Sequence, residues 1–189
     1  MTTRDLTAIA LFAATTAVCA QASVAVPVVS SVPFTLQVFA VLASGAILGA
    51  RRGFLSQVVY LLLGAAGVPV FARWHGGAQV LVGPTGGYLW AFPIAAFVAG
   101  WAWDRPGSDA VKARVRVLGV AAGLVSIYAL GVAGLVATGT VPTLSRAVKV
   151  GVIPFLVTDL IKAGLAVVIA DRVRTAVPVL QAAPRSSVR

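Results

Sequence analysis

The chain has 189 residues, 59% of them hydrophobic and only 11% charged, with a formal net charge of +10. Soluble domains hold about 25% charged residues, so a large soluble domain is excluded, and the composition is that of an integral membrane protein forming one compact domain. The 15 Lys and Arg residues gather at the ends of apolar runs, where they write membrane topology, and not on a soluble basic face suited to nucleic acid.

Six membrane-spanning helices are predicted, over residues 5–25, 35–50, 53–68, 86–103, 115–137 and 148–171. They make an all-α bundle over residues 1–175, with a disordered cytoplasmic tail over 176–189. The first span carries "LTAIALFAATTAVCA". With Arg4 ahead of it and "AQA" behind, it also fits loosely a cleaved signal peptide. Retained, it gives an even number of crossings. Ala10 with Ala14, and Ala13 with Ala17, are small-xxx-small pairs that let another helix backbone come close, from a partner or from this chain itself. Spans two and three, separated by "GARRG", are short for a hydrocarbon core about 30 Å thick. Tilted neighbours, local thinning or folded-back loops accommodate such lengths.

Charge sets the orientation. Arg4, Arg51, Arg52, Arg105, Lys112, Arg114, Arg116, Arg172, Arg174, Arg185 and Arg189 fall on one side, and Arg73, Arg146 and Lys149 on the other. That bias predicts a multi-pass protein of the cell membrane with both termini cytoplasmic. The outer connections, "ASVAVPVVSSVPFTLQ" and "VPVFARWHGGAQVLVGPTGGY", are long, apolar and rich in Pro and Gly. They suit a cover folded over the outer mouth of the bundle, as a lid on a pocket or as a plug without ligand.

Little here supports covalent chemistry. Cys19 is the one cysteine and His75 the one histidine, so neither a disulfide nor a usual metal cluster arises, and no G-x-x-x-x-G-K-[ST] loop for ATP is present. The acid–base pair in "PFLVTDLIKAG" stands out. Asp159 and Lys162 are three residues apart, on one helix face, inside the sixth span. Burying such charges costs several kcal/mol, so the pair must face the bundle interior or a cavity. It is a packing salt bridge, a proton relay, or the grip on a ligand that offers both donors and acceptors.

Two outer motifs complete the candidate set. In "GPTGGY", Gly86 and Gly87 allow close backbone approach at a helix start that favours an anion, and Tyr88 adds a hydroxyl. A plain turn with an interfacial tyrosine explains the same residues. In "VPFTLQ", Phe34 and Leu36 are apolar walls, and Thr35 and Gln37 supply polar groups. Arg73 is placed to meet an anion at the rim, while His75 reads as a solvated loop histidine.

Taken together and in this order, "VPFTLQVFAVLASGAILGARRGFLSQVVYLLLGAAGVPVFA", "GPTGGYLWAF" and "DLIKA" resemble the BioY family, the biotin-capturing S components of energy-coupling-factor vitamin transporters. The resemblance spans about residues 6–170. It implies six helices, a biotin site near the outer face closed by loops, and no enzymatic activity or cofactor beyond the transported ligand. It implies partners too: a membrane scaffold subunit, docked through small residues of the first helix (Ala10, Ala13, Ala14, Ala17), and two ATPase subunits. Asp159 and Lys162 would then meet the ureido ring of biotin, and Gly86, Gly87 or Arg73 its carboxylate. Another vitamin, or a ligand-free membrane scaffold, are the competing readings.

Overall fold

A computed structural model describes residues 1–24 and 32–177. Among these run eight α-helices: α1 (Thr3–Gln21), α2 (Gln37–Leu48), α3 (Ala50–Ala65), α4 (Ala78–Leu81), α5 (Gly86–Trp103), α6 (Asp109–Ala137), α7 (Leu144–Gly151) and α8 (Leu156–Ala176). A 3-10 turn covers Ala72–Trp74, and β1 (Ser23–Val24) pairs antiparallel with β2 (Phe34–Thr35).

Helix boundaries follow local chemistry. Thr2 caps α1 by accepting the Asp5 N–H, while the Asp5 carboxylate accepts the Thr2 N–H, a reciprocal capping box. Gly49 alone separates α2 from α3, at φ 86, a left-handed backbone that glycine adopts without steric cost. An added Cβ there would also meet the Asp104 carboxylate at 2.8 Å.

By length and apolar content α1 and α6 can each cross a membrane, and the bent pair α7–α8 adds a third when counted as one span. The 12 residues of α2 and 16 of α3 extend only about 18 and 24 Å. The sixth predicted span, 148–171, is corrected: it is not one helix but two, meeting at 59°. Pro154 lies in the break. It has no N–H to donate, and its ring disfavours the helical backbone at Ile153.

Helix α2 forms the middle of the bundle, and every residue from Ala40 to Leu48 is buried. In contrast, α8 buries one narrow stripe, Asp159, Ala163, Ala166 and Ala170, and leaves Val157, Leu160, Ile161, Leu165 and Val168 exposed. Helices α3 and α6 likewise expose Leu62, Leu118 and Val125. An outer surface this apolar belongs in lipid and not in water. Inside the bundle, the buried Gln57 donates to Thr16 and Ser44 at 3.1 Å each, linking α3 to α1 and α2.

The basic end of the bundle is pinned by ion pairs. Arg52 meets Asp5 at 3.1 Å, Arg116 meets Asp171 at 2.8 Å, and Arg174 meets Asp104 at 3.3 Å. Arg174 also donates to the carbonyls of Ile47 and Trp103, so one side chain of α8 holds the ends of α2 and α5. The predicted tail starts at the last residue of α8, and from residue 178 it lies outside the described residues.

Candidate functional site

At the other end of the bundle lies a cavity of about 330 Å³, within the roughly 300–1,000 Å³ usual for small-molecule sites. The break between α7 and α8 supplies its polar floor. Because α8 restarts after Phe155, Asp159 falls in the first turn of a helix, where the helix dipole favours a negative charge. The carboxylate is 3% exposed, yet it lines the cavity together with Lys162. Its Oδ1 accepts from Lys162 Nζ at 2.7 Å and its Oδ2 from the Tyr128 hydroxyl at 2.9 Å. A buried ion pair survives when geometry is good and the remaining lone pairs are bonded. The floor thus offers carboxylate acceptors and ammonium donors side by side.

The walls are apolar and aromatic. Phe71, Phe92 and Phe155 line the cavity with Ile127 and Leu89. Tyr88 lines it with its ring, but its hydroxyl donates to the Gly151 carbonyl at 2.9 Å and so is occupied in holding α7. Gln37 reaches the wall from the first turn of α2, and its Nε2 donates to the buried Tyr60 hydroxyl at 2.8 Å. That bond fixes the amide's orientation. Tyr60 donates in turn to the Val70 carbonyl at 3.1 Å, and its ring packs on Phe71 and Phe92.

The cover comes from the connection between α3 and α5. Ala72, Arg73, His75, Gln79, Val80 and Thr85 face the cavity, and Val32, Pro33 and Thr35 approach from the other side of the mouth. Residues 25–31 of the first predicted outer loop lie outside the described residues. Arg73 and Trp74 both have left-handed backbones, φ 61 and φ 60, at a cost of order 1–3 kcal/mol each.

Of the predicted site residues, Asp159, Lys162, Tyr88, Thr35, Gln37 and Arg73 come together around this cavity. Phe34 sits behind the wall, its ring 4.3 Å from that of Phe155. Leu36 is 45% exposed and does not line the cavity. Gly86 and Gly87 do not line it either, and the anion cradle expected of them is corrected to close packing. A Cβ on Gly86 would strike the Leu81 carbonyl, and one on Gly87 the Leu130 carbonyl, with Gly134 Cα at 3.0 Å. His75, read from sequence as solvated, lines the cavity. Tyr128 is not among the residues that the sequence singles out, although a tyrosine inside the apolar run "LVSIYALGV" is a signal. On α1, Ala10 and Ala14 are exposed, whereas Ala13 is buried and Ala17 half-buried against the chain's own core. Of the four alanines expected to share a docking face, only Ala10 and Ala14 are therefore open to another helix.

Comparisons with known proteins bear on the family and the fold. The BioY family model matches residues 1–179. The chain is 42% identical over 174 residues to a probable biotin transporter BioY of Pyrococcus horikoshii, covering 92% of this chain and 98% of that one. It is 49% identical over 143 residues to the biotin transporter BioY of Thermotoga maritima, covering 76% of this chain and 81% of that one. The fold matches the crystal structure of an S-component for biotin from an ECF-type ABC transporter, with TM-score 0.79 and 25% identity, over 93% of this chain and 95% of the other. With its family model matched over nearly the whole length and its fold shared with that S-component, the chain belongs to the BioY family.

Proposed function

We propose that this chain captures biotin and carries it across the cell membrane as the substrate-specific subunit of an energy-coupling-factor transporter. The observation that carries the reading is the Asp159–Lys162 couple, held by Tyr128 on the wall of a cavity of about 330 Å³. The ureido ring of biotin has two N–H donors and one carbonyl acceptor. Asp159 accepts from the ring N–H and Lys162 donates to the carbonyl. The thiophane ring and alkyl chain lie against Phe71, Phe92, Phe155 and the Tyr88 ring. The carboxylate points outward to Arg73, under the cover made by residues 69–86.

The chain acts as a carrier and not as an enzyme. In this reading the six apolar elements, with α7–α8 counted as one, cross the membrane as a single domain, and both termini are cytoplasmic. The excess of Lys and Arg at the ion-paired end supports that orientation. The chain has no P-loop of its own, which fits a division of labour with a membrane scaffold and two ATPase subunits. The exposed Ala10 and Ala14 face of α1 is where the scaffold docks, since small residues allow close helix approach.

The test is titration of biotin into the purified protein. Binding near one to one is expected, with a rise in melting temperature, since a ligand at 100 times its Kd stabilises the folded state by about 2.7 kcal/mol. A panel of other vitamins under the same conditions should give no shift. A shift with another vitamin and none with biotin reassigns the ligand.

A further inference from the structure

Arg73 (φ 61, ψ 34) and Trp74 (φ 60) occupy the left-handed region in succession, and neither is glycine. Large L-residues stay there only when surrounding contacts hold them, and such positions gather at ligand clamps and switches. Trp74 is 71% exposed, so its own side chain contributes little to holding the turn. The turn is closed by its own backbone, Phe71 N–H donating to the His75 carbonyl at 2.9 Å and His75 N–H to the Ala72 carbonyl at 3.4 Å, and a residue from another element braces it. Gln21, the last residue of α1, accepts the Trp74 N–H on its Oε1 at 3.0 Å. Its Nε2 donates to the Phe71 carbonyl at 3.2 Å. The two bonds enclose Ala72 and Arg73 and end on the amide of Trp74. Phe71, Ala72, Arg73 and His75 line the cavity, whereas Gln21 does not.

We propose that Gln21 is a positioning residue for ligand retention, which clamps the Phe71–His75 turn in its left-handed form and so presents Arg73 to the cavity. The inference rests on the biotin reading of that cavity. Without the clamp the turn relaxes toward an ordinary backbone, Arg73 leaves its station, and the cover no longer holds the ligand in. Loss of a cover acts on departure, so the change falls on the dissociation rate.

The experiment uses the full chain and a chase of bound labelled biotin. Gln21→Ala should speed dissociation roughly fivefold, the worth of one to two hydrogen bonds, and lower the melting temperature of the ligand-free protein by no more than about 4 °C. Adding Trp74→Asn should recover most of the loss, because asparagine tolerates the left-handed region better than tryptophan. Gln21→Glu, which keeps the acceptor for Trp74 and loses the donor to Phe71, should fall between and serves if the alanine variant folds poorly. Amide exchange over residues 70–77 of the ligand-free protein should quicken in Gln21→Ala, a reading that needs no ligand. If the parent binds no biotin, the ligand assignment fails while the exchange still reports the clamp. Unchanged exchange, or faster dissociation that Trp74→Asn leaves as it is, overturns the proposal.

Discussion

Tyr128 on α6 donates a 2.9 Å hydrogen bond to Asp159 on α8, across a helix pair and 31 residues away in the chain. The bond leaves Asp159 with one oxygen on Tyr128 and the other on Lys162, so the carboxylate plane is fixed before any ligand arrives. Tyr128→Phe keeps the ring and removes that bond. A charge-assisted hydrogen bond is worth about 1.5–3 kcal/mol, so biotin affinity measured by calorimetry should fall roughly 10- to 100-fold.

Lys162 and Asp159 can be separated as brace and as grip. Lys162→Met alone strands a buried carboxylate, which costs about 3–5 kcal/mol, and should lower both melting temperature and affinity. Asp159→Asn with Lys162→Met replaces the ion pair by neutral groups, an exchange that is often neutral for stability. That double variant should melt near the parent yet bind biotin more than about 100-fold more weakly, since two charge-assisted contacts are gone. Parental affinity in the double variant would falsify the assigned grip.

Gly87 should matter for stability more than for binding. Its Cα lies where α5 and α6 touch, and a methyl there meets the Leu130 carbonyl and Gly134. Overpacking costs about 1–3 kcal/mol, so Gly87→Ala should lower the melting temperature by several degrees. Affinity of the folded fraction should stay within about threefold.

Arg174 gives the converse control at the basic end. It holds Asp104 and the carbonyls of Ile47 and Trp103. Arg174→Met removes all of these and should lower the melting temperature by roughly 5–10 °C. The nearest cavity-lining residue of α5, Phe92, stands 11 residues before Trp103, about 17 Å along the helix at 1.5 Å per residue. Biotin affinity at a temperature where the variant is folded should therefore match the parent.

Much of this was legible in the chain, and the rest fails for identifiable reasons. Asp159 and Lys162 stand out because charges three residues apart inside "PFLVTDLIKAG" can neither reach water nor sit in lipid cheaply. The helix edges of α5 at Gly86 and Trp103 coincide with the predicted span, since Gly-rich and charged neighbours bound a plain apolar run. Pro154 was equally visible, but a proline inside an apolar run either kinks a helix or ends it, and tertiary packing decides between them. Tyr128 and His75 reach the cavity through contacts that no spacing encodes. Gly86 and Gly87 illustrate an ambiguity of glycine itself: the absence of a Cβ serves an anion or a neighbouring helix equally well.

Three of the five acids, Asp5, Asp104 and Asp171, are spent on fastening the basic end. At the mouth, by contrast, Arg73, Arg146 and Lys149 have no acidic partner among the described residues. The molecule is therefore built like a drawstring bag sewn shut at its base, whose rim can gape without disturbing the seam. In the orientation proposed above, the loosely tied rim faces the side from which cargo comes, and the sewn side faces the proposed motor.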